Sequence, residues 1–191
     1  MESKIEYLLC LGDSLTFGAR DEFQRSYPAE LGRIFWELEK KLVYCIDHGV
    51  NGETSSQLLK RIYSNAHSYP LAKIALLLIG TNDTALPQAP DIYCDNLRQI
   101  IAVLKSEGKA VVMGLLPPII GPGLPVYPAN AQKQAENFNR IIKQLAKAET
   151  CCLADFRALG KHVIDTAHLN HAGYVAMAEI WYQVLKQNKL C

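Results

Sequence analysis

Tyr7-Leu8-Leu9-Cys10-Leu11-Gly12-Asp13-Ser14-Leu15-Thr16-Phe17-Gly18 passes from a short apolar run straight into a glycine, an acid and a hydroxyl. The apolar part is too short for a helix and has no polar alternation, as expected of a strand buried on both faces of a parallel sheet. Ser14 therefore stands where a buried strand empties into a loop. In open parallel sheets the crevice outside the carboxyl ends of the strands is the usual ligand site, and a serine leaving the first strand there is held by rigid backbone. Taken alone, Ser14 could equally cap a helix or shape a tight turn.

Apolar runs of strand length lie at 5 to 11, 42 to 46, 74 to 79, 110 to 116 and 151 to 154, separated by amphipathic stretches at roughly 27 to 41, 54 to 66, 91 to 107 and 130 to 148, with a last one at 170 to 187. This alternation predicts five parallel strands joined by right-handed helical crossovers, an α/β protein built as a three-layer α/β/α sandwich. A length of 191 residues suits a single domain spanning 1 to 191. No internal repeat or low-complexity tract interrupts it.

Three other segments offer what acyl transfer to a serine requires: Val50-Asn51-Gly52-Glu53-Thr54, Gly80-Thr81-Asn82-Asp83 and Asp165-Thr166-Ala167-His168. A hydroxyl is a poor nucleophile until a neighbouring base takes its proton. The base needs an orienting carboxylate, and the oxyanion needs preorganised N–H donors. Asn51-Gly52 supplies a turn of permissive backbone, with Thr54 placed to cap the following helix. The Asn82 amide can donate where an aspartate could not. Asp13 and Asp83 read as acceptors that shape their loops.

These four blocks, in this order between residues 12 and 174, resemble the GDSL or SGNH hydrolase family. The resemblance implies Ser14 as nucleophile, His168 as base and Asp165 as its orienter, with the Ser14 and Gly52 N–H groups and the Asn82 amide as oxyanion donors. It also implies a flavodoxin-like sheet of strand order 2-1-3-4-5, which sets the Ser14, Gly52 and Asn82 loops side by side. Asn170 and Gly173-Tyr174 match as well. Leu169 departs from the family's usual proline, which predicts a looser entry to the last helix.

The activity implied is that of a serine ester hydrolase working through an acyl-enzyme on small or short-acyl esters, without cofactor or metal. Thioesterase, lysophospholipase and carbohydrate deacetylase share the machinery. A catalytically silent ester- or carbohydrate-binding module would not need all five residues together. A nucleotide-binding flavodoxin-like protein would need a glycine-rich phosphate loop, and no G-x-G-x-x-G or G-K-[ST] follows a strand. A metal held by Asp165, His168 and His171 has no further ligand cluster to support it. The remaining histidines, His48, His67 and His162, have no partner pattern.

The segment Leu116-Pro117-Pro118-Ile119-Ile120-Gly121-Pro122-Gly123-Leu124-Pro125-Val126-Tyr127-Pro128 is a long apolar loop with five prolines and two glycines. Its length and position predict a pocket wall, with Ile119, Ile120 and Tyr127 against the substrate; a subunit contact is the alternative. Tyr93 and Phe17 are further candidates for lining, Phe17 more readily as a core residue.

Twenty basic residues against nineteen acidic leave no electrostatic case for nucleic acid or an anionic membrane surface. The apolar stretch after Met1-Glu2-Ser3-Lys4 is too short for a signal peptide or a membrane span, so a cytoplasmic protein is expected. Of the cysteines, Cys10, Cys45, Cys151 and Cys152 fall in strand-like runs and read as reduced structural thiols, while Cys191 is expected to be exposed and reactive. Nothing in the pattern specifies an oligomeric state.

Overall fold

A computed structural model describes residues 5–87, 90–120 and 127–191. Five strands, β1 (Glu6–Gly12), β2 (Val43–Gly49), β3 (Ile74–Leu78), β4 (Ala110–Leu115) and β5 (Cys152–Asp155), form one sheet in the order β2-β1-β3-β4-β5. Every pairing is parallel. All five residues of β3 are buried, as are Leu8 to Gly12 of β1, as their unbroken apolar runs require. The helices are α1 (Ser14–Phe17), α2 (Tyr27–Glu39), α3 (Ser55–Ser68), α4 (Pro90–Ser106), α5 (Ala131–Ala148) and α6 (His171–Gln187). Packing of α2 on α6, and of α3 on α4 and α4 on α5, yields the two outer layers. Among the described residues no helix is long and apolar enough to cross a membrane.

Strand β2 runs three residues beyond the apolar run that announced it. Asp47, His48 and Gly49 pair with Cys10, Leu11 and Gly12. On an edge strand the backbone ladder continues where the side chains are already polar, so hydrophobic pattern marks the wrong end. This extension carries Gly49 up beside α1. A Cβ at Gly49 would lie 2.1 Å from the Phe17 backbone nitrogen, so only glycine lets the Ser14–Phe17 segment sit against β2.

Two short 3-10 segments, Asn82–Ala85 and Arg157–His162, were not anticipated. Neither has the length to show a period in the sequence. Tyr93 is core: it is fully buried, its hydroxyl donates to the Ile79 carbonyl at 2.8 Å, and its ring stacks on Phe138. Cys191 departs from expectation too. It packs partly buried against the core, and burial, then the Glu6 carboxyl, push its thiol up to about 12. Such a thiol is a weak nucleophile near neutral pH.

Candidate active site

Gly12 ends β1, and Asp13 turns the chain into a helix four residues long. Its carboxylate accepts the Leu15 N–H at 2.9 Å, and Gly18, at φ 82°, closes the turn. The Asp13 carboxyl is buried, and that burial pushes it up to about 7 against the opposing Leu15 N–H and Thr81 hydroxyl. Ser14 is the first residue of the turn and only 6% exposed. Its own N–H is one of those a helix start leaves unpaired.

The histidine arrives from the far end of the chain. Nε2 of His168 lies 3.0 Å from Ser14 Oγ, and its Nδ1 lies 2.7 Å from Asp165 Oδ2. The other carboxylate oxygen, Oδ1, accepts the backbone N–H groups of Thr166, Ala167 and His168. Partial burial raises the Asp165 carboxyl. The His168 and Ala167 N–H groups, the His168 side chain and the Thr166 N–H outweigh it and hold the group well below the usual carboxylate range.

That depression has a sign for stability. The folded pKa lies below the unfolded value of about 3.9, so the stability it confers is complete above that value and is lost as the pH falls through it toward the folded pKa. Wild-type protein should therefore lose more of its urea midpoint between pH 5 and pH 3 than Asp165→Asn does. Parallel pH profiles in equilibrium denaturation would contradict the assignment.

Leu169 does not leave the loop untethered. It is fully buried and pairs with Val163 in an antiparallel bridge. Ile164 N–H donates to the His168 carbonyl at 2.9 Å and Asn170 N–H to the His162 carbonyl at 3.0 Å. The Asn170 side chain then caps α6 through the Gly173 N–H. A backbone bridge does here what the fixed φ of a proline would do.

Opposite the histidine, Val50 to Glu53 form a turn closed by Glu53 N–H to the Val50 carbonyl at 3.1 Å. Gly52 takes φ 75° with open space around its Cα, so the backbone angle, rather than crowding, calls for glycine. Thr54 caps α3 in a capping box with Gln57. Asn82 joins the third loop to this second one: its Nδ2 donates to the Glu53 carbonyl at 2.9 Å, and its Oδ1 faces the Tyr127 hydroxyl at 3.4 Å. The Glu53 carbonyl, which can only accept, sets which end of the amide is nitrogen and leaves a second N–H on it. Asp83 ties the same loops by accepting the Ser55 N–H at 2.9 Å.

Ser14, Phe17, Ala19, Arg20, Asn51, Gly52, Asn82, Tyr127 and His168 line one cavity of about 460 Å³. The structure thus brings together Ser14, Gly52, Asn82, His168 and Tyr127, with Asp165 directly behind His168. Ile119 and Ile120 are not among the residues that line it. Ile119 is buried, with its N–H on the Gln132 side chain, and Ile120 lies beside Gly160. Of the proposed apolar wall, residues 121 to 126 fall outside the described residues. Phe17, expected in the core, is 53% exposed at the cavity, because a four-residue helix has no long buried stripe in which to place it. His171 turns away from Asp165: its Nδ1 lies 3.2 Å from Asp21 Oδ2. Arg20, Ala19 and Asn51 were missed by sequence reasoning, since no local pattern marks a loop residue as cavity lining.

The fold is shared with solved hydrolases. The lipase/acylhydrolase from Enterococcus faecalis superposes with a TM-score of 0.82 at 20% identity, covering 96% of each chain. Axe2, an acetylxylan esterase from Geobacillus stearothermophilus, gives 0.80 at 19% identity over 97% of this chain and 96% of its own. An arylesterase of Vibrio mimicus is 29% identical over 151 residues, 79% of this chain and 70% of its relative. Residues 10–176 match the GDSL-like Lipase/Acylhydrolase family, and the chain belongs to that family. It is a carboxylic ester hydrolase.

Proposed function

We propose that the enzyme hydrolyses small or short-acyl esters through a covalent acyl-enzyme on Ser14. The observation that carries the reading is the unbroken chain from Ser14 Oγ to His168 Nε2 at 3.0 Å and from His168 Nδ1 to Asp165 at 2.7 Å, with Gly52 and Asn82 lining the same cavity as Ser14 and His168. Ser14 Oγ bonds to the ester carbonyl carbon as its proton passes to His168 Nε2. The carbonyl oxygen takes the electron pair, and the Ser14 N–H, the Gly52 N–H and the free N–H of Asn82 receive it. Collapse of the tetrahedral adduct breaks the bond to the alcohol oxygen, which leaves with the proton from His168. A water molecule, deprotonated by the same nitrogen, then releases the acid and restores Ser14. Asp165 stays ionised throughout and stabilises the imidazolium.

Support for aryl or otherwise flat leaving groups comes from the exposed Phe17 ring and from Tyr127 at the cavity, and from likeness to the Vibrio mimicus arylesterase. A cavity of about 460 Å³ favours short acyl groups. Each added methylene gains about 0.8 kcal/mol while it can be buried and nothing once the room is used. Phenyl acetate to phenyl hexanoate should therefore be hydrolysed with rising, then level, kcat/KM, and phenyl decanoate should fall sharply. A stoichiometric burst of phenol should precede the steady state wherever deacylation is slow. A flat profile out to ten carbons would overturn the short-acyl assignment, and release of phenol with no acyl adduct trapped on rapid acid quench would overturn the acyl-enzyme.

A further inference from the structure

Arg20 reaches the Ser14 cavity from the loop after α1, and it does so from a backbone conformation that resists a side chain. Its φ is 69°, in the left-handed region that glycine enters freely and other residues enter against steric repulsion. The surroundings hold it there. The Ala19 carbonyl accepts the Tyr174 hydroxyl at 2.6 Å, and the buried Asp21 carboxylate takes the Arg25 N–H at 2.7 Å and faces His171 Nδ1. Strain sustained in this way is commonly found where a side chain must be presented at a site.

At the other end, the side chain is 62% exposed, and its one ion pair among the described residues sets Nε 3.7 Å from Asp165 Oδ2. That is too long for a hydrogen bond. Asp165 has no need of it, since three backbone N–H groups and His168 already serve the carboxylate. The guanidinium thus has no hydrogen-bonded partner among the described residues, at a cavity whose described lining includes no carboxylate and no other permanently charged group.

In the reaction proposed above the carbonyl oxygen lies toward Gly52 and Asn82, and the alcohol leaves on the side of His168. Arg20 shares that side through Asp165. We propose that Arg20 is a specificity-determining residue that selects esters whose alcohol portion carries a carboxylate, held by the guanidinium in a charge-assisted pair. A single guanidinium 3.7 Å from Asp165 matches a monoanion better than a phosphate dianion, whose second charge would face that carboxylate uncompensated. The inference rests on the Ser14 reading, and the test separates the two.

The probes are 4-acetoxybenzoate and its neutral isostere 4-acetoxybenzamide. Wild-type enzyme should favour the benzoate by about tenfold in kcat/KM, and that preference should shrink several-fold in 0.5 M salt. In Arg20→Gln and in Arg20→Gly the ratio of the two should fall to about one. Glycine keeps the left-handed backbone, so that variant reads the loss of the guanidinium without a folding penalty. A wild-type ratio of one overturns the assignment, as does a parallel loss on both esters that leaves the ratio intact, because Arg20 would then act only through Asp165. Wild-type protein that hydrolyses neither ester overturns the Ser14 reading itself.

Discussion

Ser14→Ala should lower kcat for phenyl acetate by about 10⁴-fold or more while leaving the thermal midpoint within a few degrees of wild type. The size of the loss follows from the role proposed for Oγ, the atom that would bond to the acyl carbon, for which alanine offers no substitute. The small effect on folding follows from what Oγ does not do. Asp13, not Ser14, caps the short helix, and the described partner of the hydroxyl is His168. A fluorophosphonate should label wild-type protein at Ser14 alone and should leave the variant unlabelled. Undiminished turnover in the variant, or a label elsewhere, would remove Ser14 from the role of nucleophile.

His168→Ala should cost about as much in kcat as loss of the serine, whereas His171→Ala should cost less than tenfold. The two histidines stand three residues apart beside the same aspartate. His168 bridges Ser14 and Asp165, so its removal takes away the group proposed to accept the serine proton. His171 instead faces Asp21 at 3.2 Å, and Phe23 lies edge-on to its ring. Its loss withdraws a partner from a buried carboxylate and should show as a lowered thermal midpoint, with Asp21 left short of a contact. Equal kinetic losses in the two variants would mean that proton transfer does not run through His168 alone.

Much of the architecture was legible because it depends on periods that a chain carries locally. Ile74 to Leu78 can be buried on both faces only as a central strand, and Thr54 declares a helix start through a cap that spans three residues. The end of β2 was not legible, since Asp47 to Gly49 are held by the neighbouring strand and not by their own hydrophobicity. Phe17 and Tyr93 traded their expected places for the same reason. Whether an aromatic residue is core or lining depends on what stands opposite, and for Tyr93 that is the Ile79 carbonyl and the Phe138 ring.

The residue types of the proposed site, their order along the chain and the layered fold were determined by the sequence itself, because a hydroxyl, an imidazole, a carboxylate and an amide are distinct chemical groups set in distinct turns. Three matters were left to the tertiary structure: which histidine meets Ser14, how the Asn82 amide is turned, and that Arg20 enters the cavity. Each depends on contacts between segments far apart in the chain, His168 with Ser14, Asn82 with the Glu53 carbonyl, and Tyr174 with the Ala19 carbonyl. Such contacts exist only once the sheet has brought its loops to one edge, so no local pattern can record them.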